Sequence, residues 1–248
     1  MALRAVYARA TAHNSIEQAA SDLRAWLSWA RRCRLEPFKK LAATLKERFD
    51  AVVRGNRVHD SVLGMWLDWQ AQGTVVDSNV FYRNTRDVMT EVTHGPITFM
   101  NNVFASEFSF DDYAQGAAFV NNLFAGRIRH TAVLDRSTPY HFPHVTDVAG
   151  EAFVYGGDDR YVNNLFLAVD DSAKPLCTAD AAGAAGMAEA GTAFFDGYPR
   201  SLEEYEQLIE EAGLGDEELY RSVKQPVLLA SNAYVSGAKA ASGEAEAV

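Results

Sequence analysis

Carboxylates at a fixed distance from asparagines are the feature of this 248-residue chain that most suggests chemistry. Asn79, Asn102 and Asn122 each precede an apolar pair, and eleven positions before them stand Asp68, Glu91 and Asp111, with Asp112 one further on. If each Asn marks the same turn of a repeating coil, Asp68, Glu91 and Asp112 fall at one place on three successive coils. Parallel strands lie about 4.8 Å apart, so carboxyls on adjacent coils would sit about 5 Å apart, as in a retaining glycosidase. Carboxyls two coils apart would be separated by roughly 9.5 Å, the upper end for inversion, and the spacing leaves both pairings open. Trp66, Trp69 and Tyr113 stand beside them, either as platforms for sugar rings or as core. A solvated acidic face is the plain alternative, although WLDW and MTEVTHGP set the carboxylates among aromatics and a histidine.

A second constellation runs from Asp135 and Arg136 through His141, His144 and Asp147 to the Gly-Gly-Asp-Asp-Arg run at 156–160. An HxxH pair without a third strong ligand nearby is a weak metal pattern. A loop that overhangs the acidic face and hydrogen-bonds a ligand is the better functional reading, with a Pro-rich turn as its alternative. No metal and no cofactor is expected.

The elements that must position these groups follow from the repeat. Asn56, Asn79, Asn102, Asn122, Asn164 and Asn232 recur, the first five at intervals of 23, 23, 20 and 42, the last read as twice 21. Such a period with short apolar strands points to a right-handed parallel β-helix, since leucine-rich repeats would show LxxLxL. Stacked Asn side chains would form an amide ladder that satisfies turn backbone groups. Residues 1–54 are different, carrying net charge +6 where the remainder carries −16. Ser15 with Gln18 makes a capping box, and Pro37 suits the first turn of a second helix, so a basic helical hairpin is expected there as an N-terminal cap. Its Arg31, Arg32, Arg34, Lys39 and Lys40 are dense enough to meet phosphates, or are simply solvated. The expected fold is therefore mainly β: a short, truncated right-handed parallel β-helix over 55–237, with the hairpin cap over 1–54. An acidic helix is inserted near 201–212, and a disordered tail is expected over 238–248.

Two resemblances bear on function. The run LRAWLSWARRCRLEPFKKLAATLKERFDAVVRG, residues 23–55, resembles the late catalytic region of bacterial insertion-sequence transposases of the acidic-triad class. In that family a catalytic Glu follows soon after, yet GNRVHDSVLGMW at 55–66 holds none, so strand-transfer chemistry is not expected of this chain. The segments GMWLDWQAQGT, TEVTHGPITFMNNVFAS, AQGAAFVNNLFAG, RSTPYHFPHVTDVAG and GGDDRYVNNLF resemble bacterial right-handed β-helix proteins classed with glycoside hydrolases, relatives of a family that includes an α-L-fucosidase and a xylanase. That resemblance implies Asp68, Glu91 and Asp112 as acid and nucleophile or base, with His94, Asp135, Arg136, His141 and His144 lining the cleft. It also implies secreted relatives of about twice this length.

Three function classes follow: a glycoside hydrolase-like domain acting on a polysaccharide or oligosaccharide, a carbohydrate-binding or structural solenoid without catalysis, and a nucleic-acid-binding transposase remnant. Cys33 and Cys177 have no CxxC or metal-ligand spacing, which argues against a disulfide framework or a zinc site. No apolar run approaches the roughly 20 residues that span a bilayer, and the first residues lack an apolar signal region, so no membrane partner and a cytoplasmic product as written are expected.

Overall fold

The computed structural model describes residues 52–141, 147–168, 189–215, 218 and 222–248. The chain divides into two units, residues 1–50 with 144–146 and residues 51–143 with 147–248, and the described residues belong to the second. The basic hairpin, with Arg31, Arg32, Arg34, Lys39 and Lys40, lies outside the described residues, as does His144.

The second unit is mainly β and built of parallel sheets, in the manner of a β-helix. One sheet holds β1 (Val52–Arg54), β4 (Val75–Asp77), β6 (Arg86–Met100), β8 (Phe108–Val120), β13 (Arg160–Val162) and β15 (Leu228–Ala230) in that order. On its flank β3 (Leu63–Asp68) pairs with β6, and β10 (Arg127–His130) pairs with β8. A second sheet holds β2 (Arg57–His59), β5 (Val80–Tyr82), β7 (Val103–Phe104), β9 (Leu123–Phe124), β14 (Leu165–Leu167) and β16 (Ala233–Val235). These pairings are all parallel; only β11 (Val133–His141) and β12 (Val148–Val154) form an antiparallel hairpin among the described strands.

Between the two sheets lies an aromatic core. Phe81, Phe104, Phe124, Phe166 and Tyr234 stack rung upon rung with ring centroids 5.0–5.4 Å apart. Phe99, Phe119 and Tyr161 form a parallel stack at 5.1 and 4.3 Å. Identical residue types recur because equivalent positions on successive coils face each other at strand spacing, so each ring finds a flat partner above and below.

The amide ladder forms along all six asparagines. The Nδ2 of Asn56, Asn79, Asn102, Asn122 and Asn164 each donates to the Oδ1 of the next Asn at 2.9–3.1 Å. Each of those oxygens also accepts the backbone N–H of the Asn below. Asn122 bonds directly to Asn164, and β8 and β9 pair directly with β13 and β14, which corrects the reading of the 42-residue interval. That interval is one coil into which β11 and β12 are inserted, not two coils of 21.

The inserted helix α1 (Leu202–Ala212) is present. Ser201 caps it by accepting the Glu204 N–H at 3.1 Å, and Gly213 ends it in the left-handed region at φ 59°. Residues 238–248, expected as a disordered tail, are instead folded over the last coil. Ala241 is buried, Val248 exchanges backbone hydrogen bonds with Asn232 and Tyr234, and Glu244 accepts from Asn232 Nδ2 at 2.7 Å. The last amide of the ladder and the open strand edge both need partners, and the tail supplies them. Among the described residues no helix is long and apolar enough to cross a membrane.

Candidate active site

Strand register brings two of the three expected carboxylates together. Asp68 ends β3 and is paired with Glu91 on β6, so both side chains leave the same face of neighbouring parallel strands. Alternation identifies this as the outer face, because Val88 and Thr90 point into the core. Asp68 is exposed and accepts the Trp69 N–H at 2.8 Å. Glu91 is half-buried and accepts from Arg136 Nη2 at 2.5 Å, a contact that reaches in from β11. Directly after Glu91 the chain bulges: Val92, an extra residue in β6, is held at φ 45°. That is a strained conformation for a β-branched side chain, costing on the order of 1–3 kcal/mol. Its fully buried side chain packs with Val133, Val154 and Tyr113, which holds the bulge and the base of the hairpin in place.

The third expected carboxylate is elsewhere. Tyr113, not Asp112, is opposite Glu91; Asp112 is opposite Thr90 and points inward with zero exposure. The error has a physical source. Seven positions separate Glu91 from Thr98 on β6, whereas five separate their partners Tyr113 and Ala118 on β8, so counting back from Asn122 overshoots. Asp111 is on the outer face but fully buried, gripped by Arg86 Nε and Arg129 Nε at 2.7 Å each, and bolts the coils together rather than facing a ligand.

Trp66 and Trp69, 55% and 54% exposed, flank the pair as open aromatic surfaces and not as core. Asp135 is largely exposed and lies beside Arg136 at 3.4 Å. Next to Glu91 a cleft of about 700 Å³ opens between the hairpin and the sheet, lined by His94, His141, Tyr140, Tyr155, Glu151 and Asp158 among others. Neither Asp68 nor Glu91 lines it; Ser137, which follows the Arg136 that reaches Glu91, does.

Three side chains clasp the hairpin to the sheet. Gln72 accepts the His141 N–H at 2.8 Å and donates to its carbonyl at 3.0 Å. Gln115 accepts the Tyr155 N–H at 2.7 Å, which turns its Nε2 toward His94 Nδ1 at 3.1 Å. His94 therefore accepts at Nδ1 and, as the neutral tautomer, donates from Nε2 to the Ala152 carbonyl at 3.3 Å. Burial, partly offset by its backbone partners, lowers the His94 pKa from its ordinary value. Close packing of the glycines allows this fit, since a Cβ on Gly95 would fall 1.9 Å from the Gly116 carbonyl. Gln72 and Gln115 are not among the ionisable and aromatic groups that the sequence brings forward; the available signal was that each stands seven positions before an Asn of the repeat, Asn79 and Asn122, two coils apart.

Inside the coil behind Tyr113, Asp112, His130 and Asp159 meet, again unforeseen. Asp112 Oδ1 accepts from Thr90 Oγ1 at 2.8 Å and from the Ala114 N–H at 3.1 Å. Burial first, then the neighbouring Asp112 charge, holds the Asp159 carboxyl well above the usual range.

Comparison with known proteins divides the chain in two. A transposase family model of the ISL3 type matches residues 1–61. A solved structure of XylC in complex with xylose is similar over 79% of this chain and 28% of that one, with 43% identity and a TM-score of 0.69. The matched part is thus little more than a quarter of XylC. No curated protein matches significantly.

Proposed function

We propose that residues 55 onward form a closed right-handed β-helix domain that cleaves glycosidic bonds with retention, using Asp68 and Glu91 as its carboxylate pair. The observation that carries this is their register on adjacent parallel strands, which puts the two groups at about the 5 Å separation that double displacement requires. Asp68, whose carboxylate accepts a backbone N–H, is the nucleophile at the anomeric carbon. Glu91 protonates the departing oxygen and then takes a proton from the water that releases the sugar, so each bond broken is matched by one formed. Arg136 orients Glu91 from the hairpin, and the bulge at Val92 aims it, as bulges beside active sites do. Trp66 and Trp69 offer faces for sugar rings, and the polar cleft past His94 receives further rings. The similarity to XylC, solved with xylose, supports a pentose-containing oligosaccharide as substrate.

Hydrolysis of aryl β-xylosides followed by proton NMR tests the reading. The first product should be the β-anomer, and Asp68→Gly should recover turnover with azide, giving the α-glycosyl azide. First appearance of the α-anomer would overturn the retaining assignment.

The transposase match supports a second reading confined to residues 1–61: contact with nucleic acid through Arg31, Arg32, Arg34, Lys39 and Lys40. Binding that falls steeply with salt, and that weakens when these residues are neutralised, would support it.

A further inference from the structure

We propose that Asp112, His130 and Asp159 form a divalent-cation site inside the coil stack, of the class that holds a first-row transition ion such as Zn²⁺ or Mn²⁺. This inference is independent of the sugar chemistry on the outer face. The three side chains come from β8, the end of β10 and the turn before β13, and one donor atom of each lies within 4.8 Å of the others.

The free lone pairs converge. Asp112 Oδ1 is occupied by Thr90 and Ala114, which leaves Oδ2 facing His130 Nδ1 at 3.4 Å. Asp159 Oδ1 is occupied by the Ala117 N–H at 2.9 Å. Its Oδ2 is buried with no hydrogen-bond partner among the described residues, and faces His130 Nδ1 across 3.9 Å, too long for a hydrogen bond. Two positions on, and on the same side of β13 by alternation, the Tyr161 hydroxyl is also buried with no hydrogen-bond partner among the described residues.

Charge points the same way. Two carboxylates of zero exposure face a single imidazole, and the nearby guanidiniums are engaged elsewhere. Arg129 grips Asp111 on the opposite face, and Arg160 bonds Asp158 at 3.0 Å. Buried charges persist when they are paired or bind metal, and one imidazole cannot balance two carboxylates. One nitrogen and two carboxylate oxygens suit zinc, manganese or ferrous iron better than calcium, which takes six to eight oxygens. Phe195 at 4.9 Å and Tyr198 at 6.0 Å wall the imidazole off from solvent, as the shell around a structural ion requires. Such an ion would tie three chain segments together directly behind Tyr113.

The test uses the full chain, stripped with a chelator, dialysed and titrated with Co²⁺ while visible absorption and thermal melting are followed. One equivalent should develop the cobalt d–d bands, Zn²⁺ should bleach them stoichiometrically, and the melting temperature should rise by about 5 °C or more at saturation. Asp159→Asn, a near-isosteric change, should lose the bands, and His141→Ala should keep them. Absence of cobalt bands with an unchanged melt in the wild type would overturn the site. So would bands that survive in Asp159→Asn, or that vanish in His141→Ala, which would place the ion in the cleft.

Discussion

Glu91 and Asp112 are neighbours across one pair of strands, yet they inhabit opposite environments. Glu91 lies on the outer face beside an exposed Asp68, within reach of Arg136 and an open cleft. Asp112, opposite the preceding residue Thr90, is sealed in the core with His130 and Asp159. A shift of one position in a strand exchanges solvent for core, so two carboxylates of similar chemistry become a candidate catalyst and a structural element.

Loss of either outer carboxylate should matter most to turnover and least to folding. Asp68→Asn and Glu91→Gln should each lower glycosidase turnover at least about 10³-fold, roughly 4 kcal/mol in barrier, while leaving the melting temperature nearly unchanged. Asp112→Ala should do the reverse in stability, costing about 3 kcal/mol in denaturant unfolding, because Thr90 and Ala114 lose their acceptor in the core. An Asp112 variant as stable as the wild type would mean that the two faces are not so different.

The same contrast recurs at the turns. Asn102, buried in the ladder, accepts two hydrogen bonds and donates two through its side chain, so Asn102→Ala should cost about 3 kcal/mol. Its neighbour Asn101 is exposed, with φ 56°, and bonds to Asp77 and Asn121 at the surface. Asn101→Gly, which removes those bonds and suits the positive φ, should change stability by less than about 1 kcal/mol. Equal losses at both sites would place the ladder's contribution in the turn and not in the stack.

Protonation of His94 bears on how the hairpin is held over the site. His94 is neutral when folded and has a lowered pKa, so the unfolded chain binds more protons at mildly acid pH. Stability is therefore lost as pH falls below the unfolded value of 6.5 toward the folded one, by at most about 1.4 kcal/mol per unit. Melts of wild type and His94→Gln between pH 7.5 and 5 should show a steeper decline for the wild type; parallel curves would remove His94 from the clasp's pH response. Last, Ser201→Ala should cost about 1 kcal/mol through loss of the cap on α1, with glycosidase turnover unaffected.

Features that depend on periodicity are written in the order of the residues. The six asparagines, their amide ladder and the helix at 202–212 were legible because a repeat places equivalent residues in equivalent contacts, and a cap or an alternation is written in consecutive positions. The pairing of Asp68 with Glu91 was legible for the same reason, since both coils have the same length between site and turn. The places where that regularity breaks emerge from the folded chain. Shortening by two residues on β8 moved Tyr113 into the place expected for an acid, and an inserted hairpin disguised one coil as two. Burial of Asp112, His130 and Asp159 together could not be read from the chain. They lie 18 and 29 positions apart in sequence and meet because parallel stacking brings β8, β10 and β13 side by side. Local sequence sets which way a side chain alternates; the count of residues in every coil sets what it meets.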